Sequence, residues 1–528
     1  MLARRMRSGK CVCFADPPWD EDSPCWQELD QDLPANHLAR LVVEQLKVLD
    51  LSALFATYLG TGSRPYRPDL MLRIALIETQ LGRHSPTQWH KDTRENQALQ
   101  WAGFGIRPSR SCWHEFYDRV APFLLTWNQM VLRQAYSQGQ VSGQRAAQDG
   151  TLIAANASRH RLLNQENLEK RLTQLEAVIA ADQSETVADT GQAAPPQAEP
   201  ALAVTPPSSW MARTPHGRQK QHQRYRQARE RLQERLAANA QRNPAKRLDP
   251  KRIMVSASDP TAAIGRDKEK VFRPLYNVQL VCDLDSHFIL GYEVLATLSD
   301  ANTLGPLLER VHDLLGRKPE TVLVDAGYVT GADLALCAAN AITLYGPWLE
   351  NDFSKRQDRY LAKKEFVWLP EENAYRCLQG QLLTPIGKER REHVDGRSEV
   401  QYRYRCAPAH CRACPRHAAC TPNPNRGRSL RRSEHEDLIN AHKARMATPE
   451  VKQIYKLRRQ TVELGIADLK EHRRMRRFWG RGLRRARTQV GFAVLARNIV
   501  SLAVSPVTAE RPLISRAALV TTGCENGP

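Results

Sequence analysis

The segment LYNVQLVCDLDSHFILGYEVLA, which covers Leu275–Ala296, gives the first indication of the fold class. Its two runs of β-branched and aromatic residues flank a short Asp285-Ser286 turn, which predicts a β-hairpin. A helix is predicted next over Asn302–Leu315, closed by Gly316. The run TVLVD at 321–325 then has the continuous apolar character of a strand buried in the centre of a sheet. Strand, strand, helix and central strand in this order predict an α/β fold.

Length, charge and cysteine content limit the class of protein. At 528 residues the chain is too long for one ordinary core, so we expect two to four units. The net charge of +20, with an isoelectric point of about 9.6, favours a polyanionic partner, and a merely soluble basic protein is the alternative. No apolar run approaches the roughly 20 residues that span a bilayer, and the first residues lack the apolar core of a secretory signal. We therefore expect a cytosolic, reducing setting in which the 12 cysteines are not paired as disulfides.

The region before the predicted strands has the pattern of helices. Between residues 29 and 135, leucine and isoleucine recur at helical spacing, and Ser85-Pro86-Thr87-Gln88 is a capping box. A glycine turn at 103–105 separates two predicted helices, the second of which begins near Ser109. This pattern fits a helix-turn-helix that docks on DNA, and it fits a plain helical bundle equally well.

Two polar stretches precede the hairpin. Residues 181–208 are rich in Ala, Pro, Gln and acids and almost lack large apolar groups, which predicts a flexible linker. Residues 216–242 predict an arginine-rich helix with little apolar surface to bury. We expect this helix to lie on DNA or on a partner, and a solvated charged helix is the alternative.

Two carboxylates are placed where predicted strands meet loops. Asp325 ends the strand Thr321–Val324, and functional groups of α/β sheets lie at this carboxyl edge. A carboxylate there is costly to bury without a partner or a metal ion, although a loop cap is the other interpretation. Asp149 lies in QDGTLIAANAS, just ahead of the apolar run Leu152–Ala155, where Asp-Gly alone also marks turns. Asp259 is the rival candidate, and it would replace Asp149 if the intervening stretch contained the true first strand.

A helix predicted to start near Pro449 supplies a third acid. At about 100° per residue, Arg459, Glu463 and Lys470 form one polar row beside a buried apolar stripe. We interpret this row as part of a metal and phosphate site, and a surface row of ion pairs worth only tenths of a kcal/mol is the alternative. The buried stripe is predicted to contain Val451, Ile454, Tyr455, Val462, Ile466 and Leu469.

Three carboxylates from separate segments suit a hard divalent cation such as Mg²⁺, which takes oxygen ligands and keeps positions for water and phosphate. Two such ions can activate the attacking oxygen and stabilise the leaving oxygen when a phosphodiester is displaced. Arg459 and Lys470 would then bind the scissile or a neighbouring phosphate, arginine bidentately and lysine as a point charge.

The stretch RRMRRFWGRGLRRAR contains eight arginines and no acid. We interpret it as a surface that binds DNA phosphates, because such a density of like charges is repulsive without a polyanion. A solvated helix face is the alternative. The eight residues are Arg473, Arg474, Arg476, Arg477, Arg481, Arg484, Arg485 and Arg487.

Four cysteines, Cys406, Cys411, Cys414 and Cys420, lie close together between Asp325 and Glu463, with Cys377, His410 and His417 nearby. Four thiolates can bind a structural Zn²⁺ tetrahedrally in a reducing setting. Because the spacing is irregular for a zinc ribbon, reduced cysteines on a basic loop are the competing interpretation.

The segments DGTLIAANAS, RPLYNVQLVCD, VLVDAGY and YKLRRQTVELGIADLK together resemble the DDE transposases of bacterial insertion sequences. That superfamily has a Tyr-Arg-Glu-Lys signature on its last catalytic helix, and Arg459, Glu463 and Lys470 match its Arg-x3-Glu-x6-Lys spacing. Tyr455 is followed by three residues before Arg459, where the signature has two. Pairing Tyr455 with Arg458 would instead alter the next spacing.

The resemblance implies that Asp149, Asp325 and Glu463 hold Mg²⁺ or Mn²⁺. It also implies cleavage at the terminal inverted repeats of an element and transfer of the freed 3′-OH ends into target DNA. The expected partner is double-stranded DNA, as transposon ends and as target, bound by a homodimer in the bacterial cytoplasm at the nucleoid and not at a membrane. A catalytically inactive, transposase-derived DNA-binding protein is the alternative.

The fold implied by the resemblance is a ribonuclease-H-like α/β core with a mixed sheet, preceded by an all-α N-terminal DNA-binding domain and interrupted by two insertions. The expected divisions are an N-terminal tail (1–28), the helical domain (29–135), the first part of the core (136–165), an insertion with linker and arginine-rich helix (166–250), the second part of the core (251–350), an insertion with the cysteine cluster (351–447), the last part of the core (448–503) and a tail (504–528).

Overall fold

The computed structural model describes residues 12–60, 62–189, 208–286, 288–349, 360–392 and 398–504. Within them, all regular secondary structure between Pro24 and Ser137 is helical. The α-helices of this region are α1 (Pro24–Asp32), α2 (Leu38–Gln45), α3 (Ser52–Phe55), α4 (Pro68–Gln80), α5 (Pro86–Glu95), α6 (Gln97–Ala102), α7 (Arg110–Val120) and α8 (Leu124–Ser137). None of the described helices is both long and apolar enough to cross a membrane.

A mixed β-sheet follows in the chain and confirms the predicted α/β class. Its strands are β1 (Arg145–Ala154), β4 (Ala263–Arg266), β5 (Phe272–Asp283), β6 (Ile289–Leu295), β7 (Thr321–Val324) and β8 (Thr343–Tyr345), while β2 (Leu162–Leu163) and β3 (Val255–Ser256) form a separate ladder. Strand β1 pairs antiparallel with β5 and parallel with β7, and β7 pairs parallel with β8. Strands β4 and β6 both pair with the other side of β5.

The predicted hairpin, helix and central strand are all present. Strands β5 and β6 pair as an antiparallel hairpin, and β7 lies buried between β1 and β8. The helix between them, which we number α11, runs over Leu304–Leu315 and ends at Gly316, whose φ of 71° is left-handed. Glycine adopts this conformation without the Cβ clash of other residues, which is why it stops the helix there.

The first insertion is a pair of long helices. Helix α9 (Gln165–Asp189) packs against α10 (Pro215–Ala240). The expectation of a linker over 181–208 is therefore wrong for 181–189, which belong to α9, and residues 190–207 lie outside the described residues. The arginine-rich helix α10 also buries more apolar surface than its composition predicts. Its Tyr225 and Leu232 pack with Leu168 and Leu172 of α9. An apolar stripe this narrow gives little periodic signal among so many polar residues.

The second insertion has its own antiparallel sheet, with the strand order β13-β12-β11-β10-β9. The strands are β9 (Val367–Leu369), β10 (Ala374–Arg376), β11 (Leu382–Glu392), β12 (Ser398–Cys406) and β13 (Ser429–Ser433). The remaining α-helices of the chain are α12 (Gly331–Ala339), α13 (Pro408–Ala413), α14 (His417–Cys420), α15 (Glu436–Ala447), α16 (Pro449–Gln460), α17 (Val462–Ala467) and α18 (Leu483–Val504).

Helix α18 lies between the N-terminal helices and the sheet. Phe492 and Ile499 belong to the apolar core that α4, α7 and α8 share, whereas Val490 and Val494 belong to the core on the face of the sheet. The stretch from 490 to 502 is apolar nearly all round because both of its sides are covered.

Candidate active site

Asp149 and Asp325 lie beside each other at the edge of the sheet. The parallel pairing of β1 with β7 ends with Gln148 opposite Val324, so the next residue of each strand is an aspartate. Asp149 is buried, and its Oδ1 accepts a hydrogen bond from the backbone N–H of Gly150 at 2.8 Å. Asp325 is exposed and its carboxylate accepts a hydrogen bond from the N–H of Ala326 at 2.7 Å. The register therefore brings a buried and an exposed carboxylate together.

Arg458 joins Asp149 to Glu463. Its Nη2 donates to Asp149 Oδ2 at 2.6 Å, and its Nη1 donates to Glu463 Oε1 at 2.8 Å. The Arg458 side chain is only 10% exposed, and its Nε has no hydrogen-bond partner among the described residues. Two of the three predicted acids thus meet on a single guanidinium, with the third acid adjacent to one of them.

Burial raises the pKa of Asp149 above its ordinary value, Arg458 opposes this increase, and the charge of Asp325 adds to it. A buried carboxylate beside a second carboxylate is favoured in its charged form only when cations are close. Besides Arg458, the exposed Lys268 lies near enough for its charge to lower the pKa of Asp149. Lys268 is in the loop between β4 and β5, and no motif in the sequence pointed to it.

The predicted polar row of Arg459, Glu463 and Lys470 is not formed. Helix α16 ends at Gln460, α17 begins at Val462, and Asp468–His472 form a wider π-helical turn. Thr461 between them has φ −121° and ψ −87°, and its hydroxyl donates to the carbonyl of Leu457 at 3.0 Å. Such a bond from a threonine side chain competes with the helical hydrogen bonds, so the even rotation per residue assumed for one helix does not hold here.

Arg459 is exposed, and it is Arg458 that enters the acid cluster. Tyr455 precedes Arg458 by the two intervening residues of the signature, and its hydroxyl donates to the carbonyl of Val324 at 3.1 Å, directly before Asp325. The surplus residue then falls between Arg458 and Glu463, where the helix is interrupted at Thr461. The break accommodates the altered spacing between the arginine and the glutamate.

The buried stripe predicted for these helices is present. Val451, Val462, Ile466 and Leu469 are buried, and Ile454 and Tyr455 pack against the same core. Lys470 is half-buried, and burial together with the charge of Lys268 lowers its pKa. The Lys470 and Lys268 side chains therefore lie close together, and of the two it is the charge of Lys268 that acts on Asp149.

The rival aspartate lies elsewhere. Asp259 is buried and its carboxylate accepts hydrogen bonds from Tyr276 at 2.6 Å and from the backbone N–H of Gly482 at 3.0 Å. Tyr276 pairs with Ile153, four residues along β1 from Asp149, which corresponds to about 13 Å. Asp259 thus anchors the start of α18 to the sheet and is not part of the acid cluster.

The arginine stretch has acidic partners outside it, some just before it in sequence and some remote. Arg473 is buried and pairs with Asp468, Arg476 pairs with Glu471, Arg485 with Asp118 at 3.1 Å, and Arg487 with Glu293 at 3.1 Å. The argument that eight arginines without an acid must repel one another is therefore wrong, because the compensating acids come from other elements. The stretch is also not one helix, since α18 starts only at Leu483.

The cysteines of the second insertion come together in its small apolar core. Cys377, Cys406, Cys411 and Cys420 all belong to it, and the backbone N–H of Arg428 donates to Cys411 Sγ at 3.3 Å. Burial and the neighbouring Cys411 raise the pKa of Cys406 to about 12, so without a metal ion this side chain is a protonated thiol. Cys377 was not in the predicted set of four.

Neither cluster has its side chains arranged around a common point. Within the described ranges, no three side chains of His, Cys, Asp and Glu are close enough to hold a metal ion together. In the acid cluster, the oxygens of Asp149 and Glu463 are instead taken up by Arg458. The donor chemistry nevertheless fits, since carboxylates suit Mg²⁺ or Mn²⁺ and grouped thiols suit Zn²⁺.

Comparison with known families places the chain in a class. Residues 376–503 match the model of a family described as a transposase DDE domain, and this segment includes Arg458, Glu463 and the cysteine cluster. Residues 27–119 match the model of a second family, described as a transposase domain (DUF772). Together the two matches indicate an insertion-sequence DDE transposase. No curated protein and no solved structure matches the chain.

Proposed function

We propose that this chain cleaves the terminal inverted repeats of its insertion sequence and transfers the freed 3′-OH ends into target DNA. The observation that carries the proposal is the meeting of Asp149 and Glu463 on Arg458, with Asp325 next to Asp149 in the strand register. Three acids that are each more than 100 residues apart in sequence are thereby brought together where β1 and β7 face a helix. We also assign the ribonuclease-H-like fold, because the mixed order β6-β5-β1-β7-β8 presents Asp149 and Asp325 at one edge of the sheet.

The three carboxylates would hold Mg²⁺ or Mn²⁺. Such ions activate the attacking oxygen and stabilise the leaving oxygen of a phosphodiester. Arg458 is a positioning residue, because its two hydrogen bonds fix the orientations of Asp149 and Glu463 and offset their mutual repulsion. Lys268 supplies positive charge beside the acids, with Lys470 next to it, where a phosphate of the DNA would lie.

The remaining expectations about DNA and assembly are part of the same proposal. Arg107 and Arg110 are exposed at the turn between α6 and α7, which supports docking of the helical N-terminal region on DNA. The arginines of 473–487 that stay exposed, such as Arg477 and Arg481, would contact backbone phosphates. The proposal also includes a dimer that acts on paired DNA ends at the bacterial nucleoid. It further includes the division of the chain into the domains given above.

The test uses the DNA on either side of the reading frame that encodes the chain. With a supercoiled plasmid carrying both flanks, we expect breaks at the outer edges of inverted repeats, with 3′-OH ends, only when Mg²⁺ or Mn²⁺ is added. Sequencing of the joined products measures the transfer step. Specific binding without breaks under either ion would favour the catalytically inactive DNA-binding alternative, and an absence of specific binding would contradict both.

For the second insertion we propose a structural Zn²⁺ held by four of its cysteines, with Cys377 a further candidate beside Cys406, Cys411, Cys414 and Cys420. We expect about one zinc per chain by elemental analysis, lost in Cys406→Ser and retained in Cys337→Ser, a buried cysteine of α12. Binding should release protons at neutral pH, because burial raises the pKa of the Cys406 thiol to about 12.

Chelation of this zinc is expected to make the segment 377–420 sensitive to proteases while the sheet of β1 and β5 stays protected. An unchanged digestion pattern together with a zinc-free protein would contradict the proposal.

A further inference from the structure

A cleft rich in hydrogen-bond donors lies where the first insertion meets the arginine stretch. Its volume is about 350 Å³. We call it the arginine pocket, and it is lined by Asn156, Arg224, Ser258, Trp479, Gly480, Arg481 and Arg485. Three guanidinium groups come from two distant parts of the chain, and no carboxylate is among these lining residues.

The positive charge of this pocket is only partly compensated. Arg485 pairs with Asp118 and lies over the Trp479 ring, with its guanidinium carbon 5.8 Å from the ring centre. Arg481 donates to the backbone carbonyl of Asn156 at 3.3 Å. Arg224 makes no ion pair among the described residues, and burial and the charge of Arg481 both lower its pKa. Guanidinium groups are held this close at a cost unless an anion is bound between them.

One buried donor of the pocket is also unused. The Nε of Arg224 has no hydrogen-bond partner in the described part of the chain. Buried N–H groups without an acceptor are rare and costly, so this one indicates a missing acceptor. Arginine forks and N–H donors with no carboxylate in the lining are the surroundings that a phosphate group requires.

The position of the pocket connects it to the acid cluster. Asn156 lies seven residues beyond Asp149, and β1 is extended as far as Ala154, so the two sites are roughly 20 Å apart along the strand. The stretch 473–481 runs between them, and Arg477 forms a parallel bridge with Ala154. Phosphates of one strand in duplex DNA advance about 3.4 Å each along the helix axis, so this separation corresponds to about six nucleotides for DNA whose axis follows the line between the two sites.

We propose that the arginine pocket binds one backbone phosphate of the element's DNA about six nucleotides from the position that is cleaved. The inference rests on the proposed function and extends it. It gives the first insertion a role, because helix α10 brings Arg224 to the pocket from outside the sheet. The insertion then acts as a clamp that fixes the distance between the bound phosphate and the acid cluster.

The test compares Arg224→Gln and Arg481→Gln with the matched control Arg229→Gln. Arg229 is on the same helix and has an ion pair with Glu169 at 3.7 Å, away from the pocket. For each pocket variant we expect the slope of log affinity against log salt concentration to fall by about 0.9, the value for one lost phosphate contact, and the control to keep the wild-type slope. Arg481 is exposed, so its substitution leaves folding intact.

The position is tested with duplex ends that carry a single uncharged methylphosphonate, moved one nucleotide at a time. Wild-type protein should lose about tenfold in affinity at a site near six nucleotides from the cut, and Arg224→Gln should lose nothing further there. Additive losses at every position would overturn the proposal. The proposal would also be overturned if free inorganic phosphate stabilised the wild-type protein but not Arg224→Gln, while DNA binding by the two proteins depended equally on salt concentration. Normal end cleavage alongside these results would leave the proposed function standing.

Discussion

Asp149→Asn is expected to reduce cleavage of the element's ends by roughly 10³-fold or more, with binding of the ends within about twofold of wild type. Asparagine keeps the size of the side chain and an oxygen that can accept from Arg458, but it loses the negative charge that a divalent cation needs. Loss of several kcal/mol of stabilisation at the transition state corresponds to a change of this size. Cleavage rates under single-turnover conditions and binding by gel shift measure the two effects separately.

The control variant for this prediction is Asp259→Asn. Asp259 holds Tyr276 and Gly482 far from the acid cluster, so its substitution should lower the melting temperature and leave the cleavage rate of the folded protein nearly unchanged. Asp325→Asn and Glu463→Gln should behave like Asp149→Asn. Cleavage that survives in Asp149→Asn and disappears in Asp259→Asn would transfer the role to Asp259.

Arg458→Gln is expected to abolish most cleavage and to destabilise the fold, whereas Arg459→Gln should change neither by much. Removing one partner of a buried ion pair leaves the other charge unpaired, at a cost of about 3–5 kcal/mol. The Arg458 and Asp149 side chains are 10% and 13% exposed, so the pair belongs to this class, whereas Glu463 at 44% contributes less. Arg459 is exposed, and surface substitutions of this kind fall within about 0.5 kcal/mol.

Chemical denaturation measures the stability of both variants, and the rate of end cleavage measures their function. Arg458→Lys is the informative intermediate, because a single ammonium can contact one of the two carboxylates but cannot bridge both as the planar fork does. It should recover part of the stability and little of the cleavage. A large loss of cleavage in Arg459→Gln with wild-type behaviour of Arg458→Gln would restore Arg459 to the site.

Much of the sheet was predictable because its signals are local. The β-branched and aromatic runs of β5 and β6, the apolar run of β7 and the glycine that stops α11 each act over a few residues. The position of Asp325 could be inferred in the same way, since a charged side chain at the end of a buried central strand points to a functional edge of the sheet. Asp149 could be selected only through the resemblance to DDE transposases, because the dipeptide Asp-Gly is common in turns.

The parts of the site that sequence reasoning missed depend on contacts between distant segments. A helical wheel placed Arg459 beside Glu463, but the interruption at Thr461 rotates the chain so that Arg458 points to Asp149 instead. Lys268 reaches the cluster from a loop that has no motif. Two of the acids that pair with the arginine stretch, Asp118 and Glu293, are about 200 residues or more away in sequence, and only the fold shows which charges they meet.

The insertion of α18 between the N-terminal helices and the sheet has a consequence for biosynthesis. Both cores are completed by one helix that follows their other elements in the sequence, so neither layer can be completed before that helix has been synthesised. A product that terminates before Leu483 would expose apolar faces of both layers and should be a substrate for proteases.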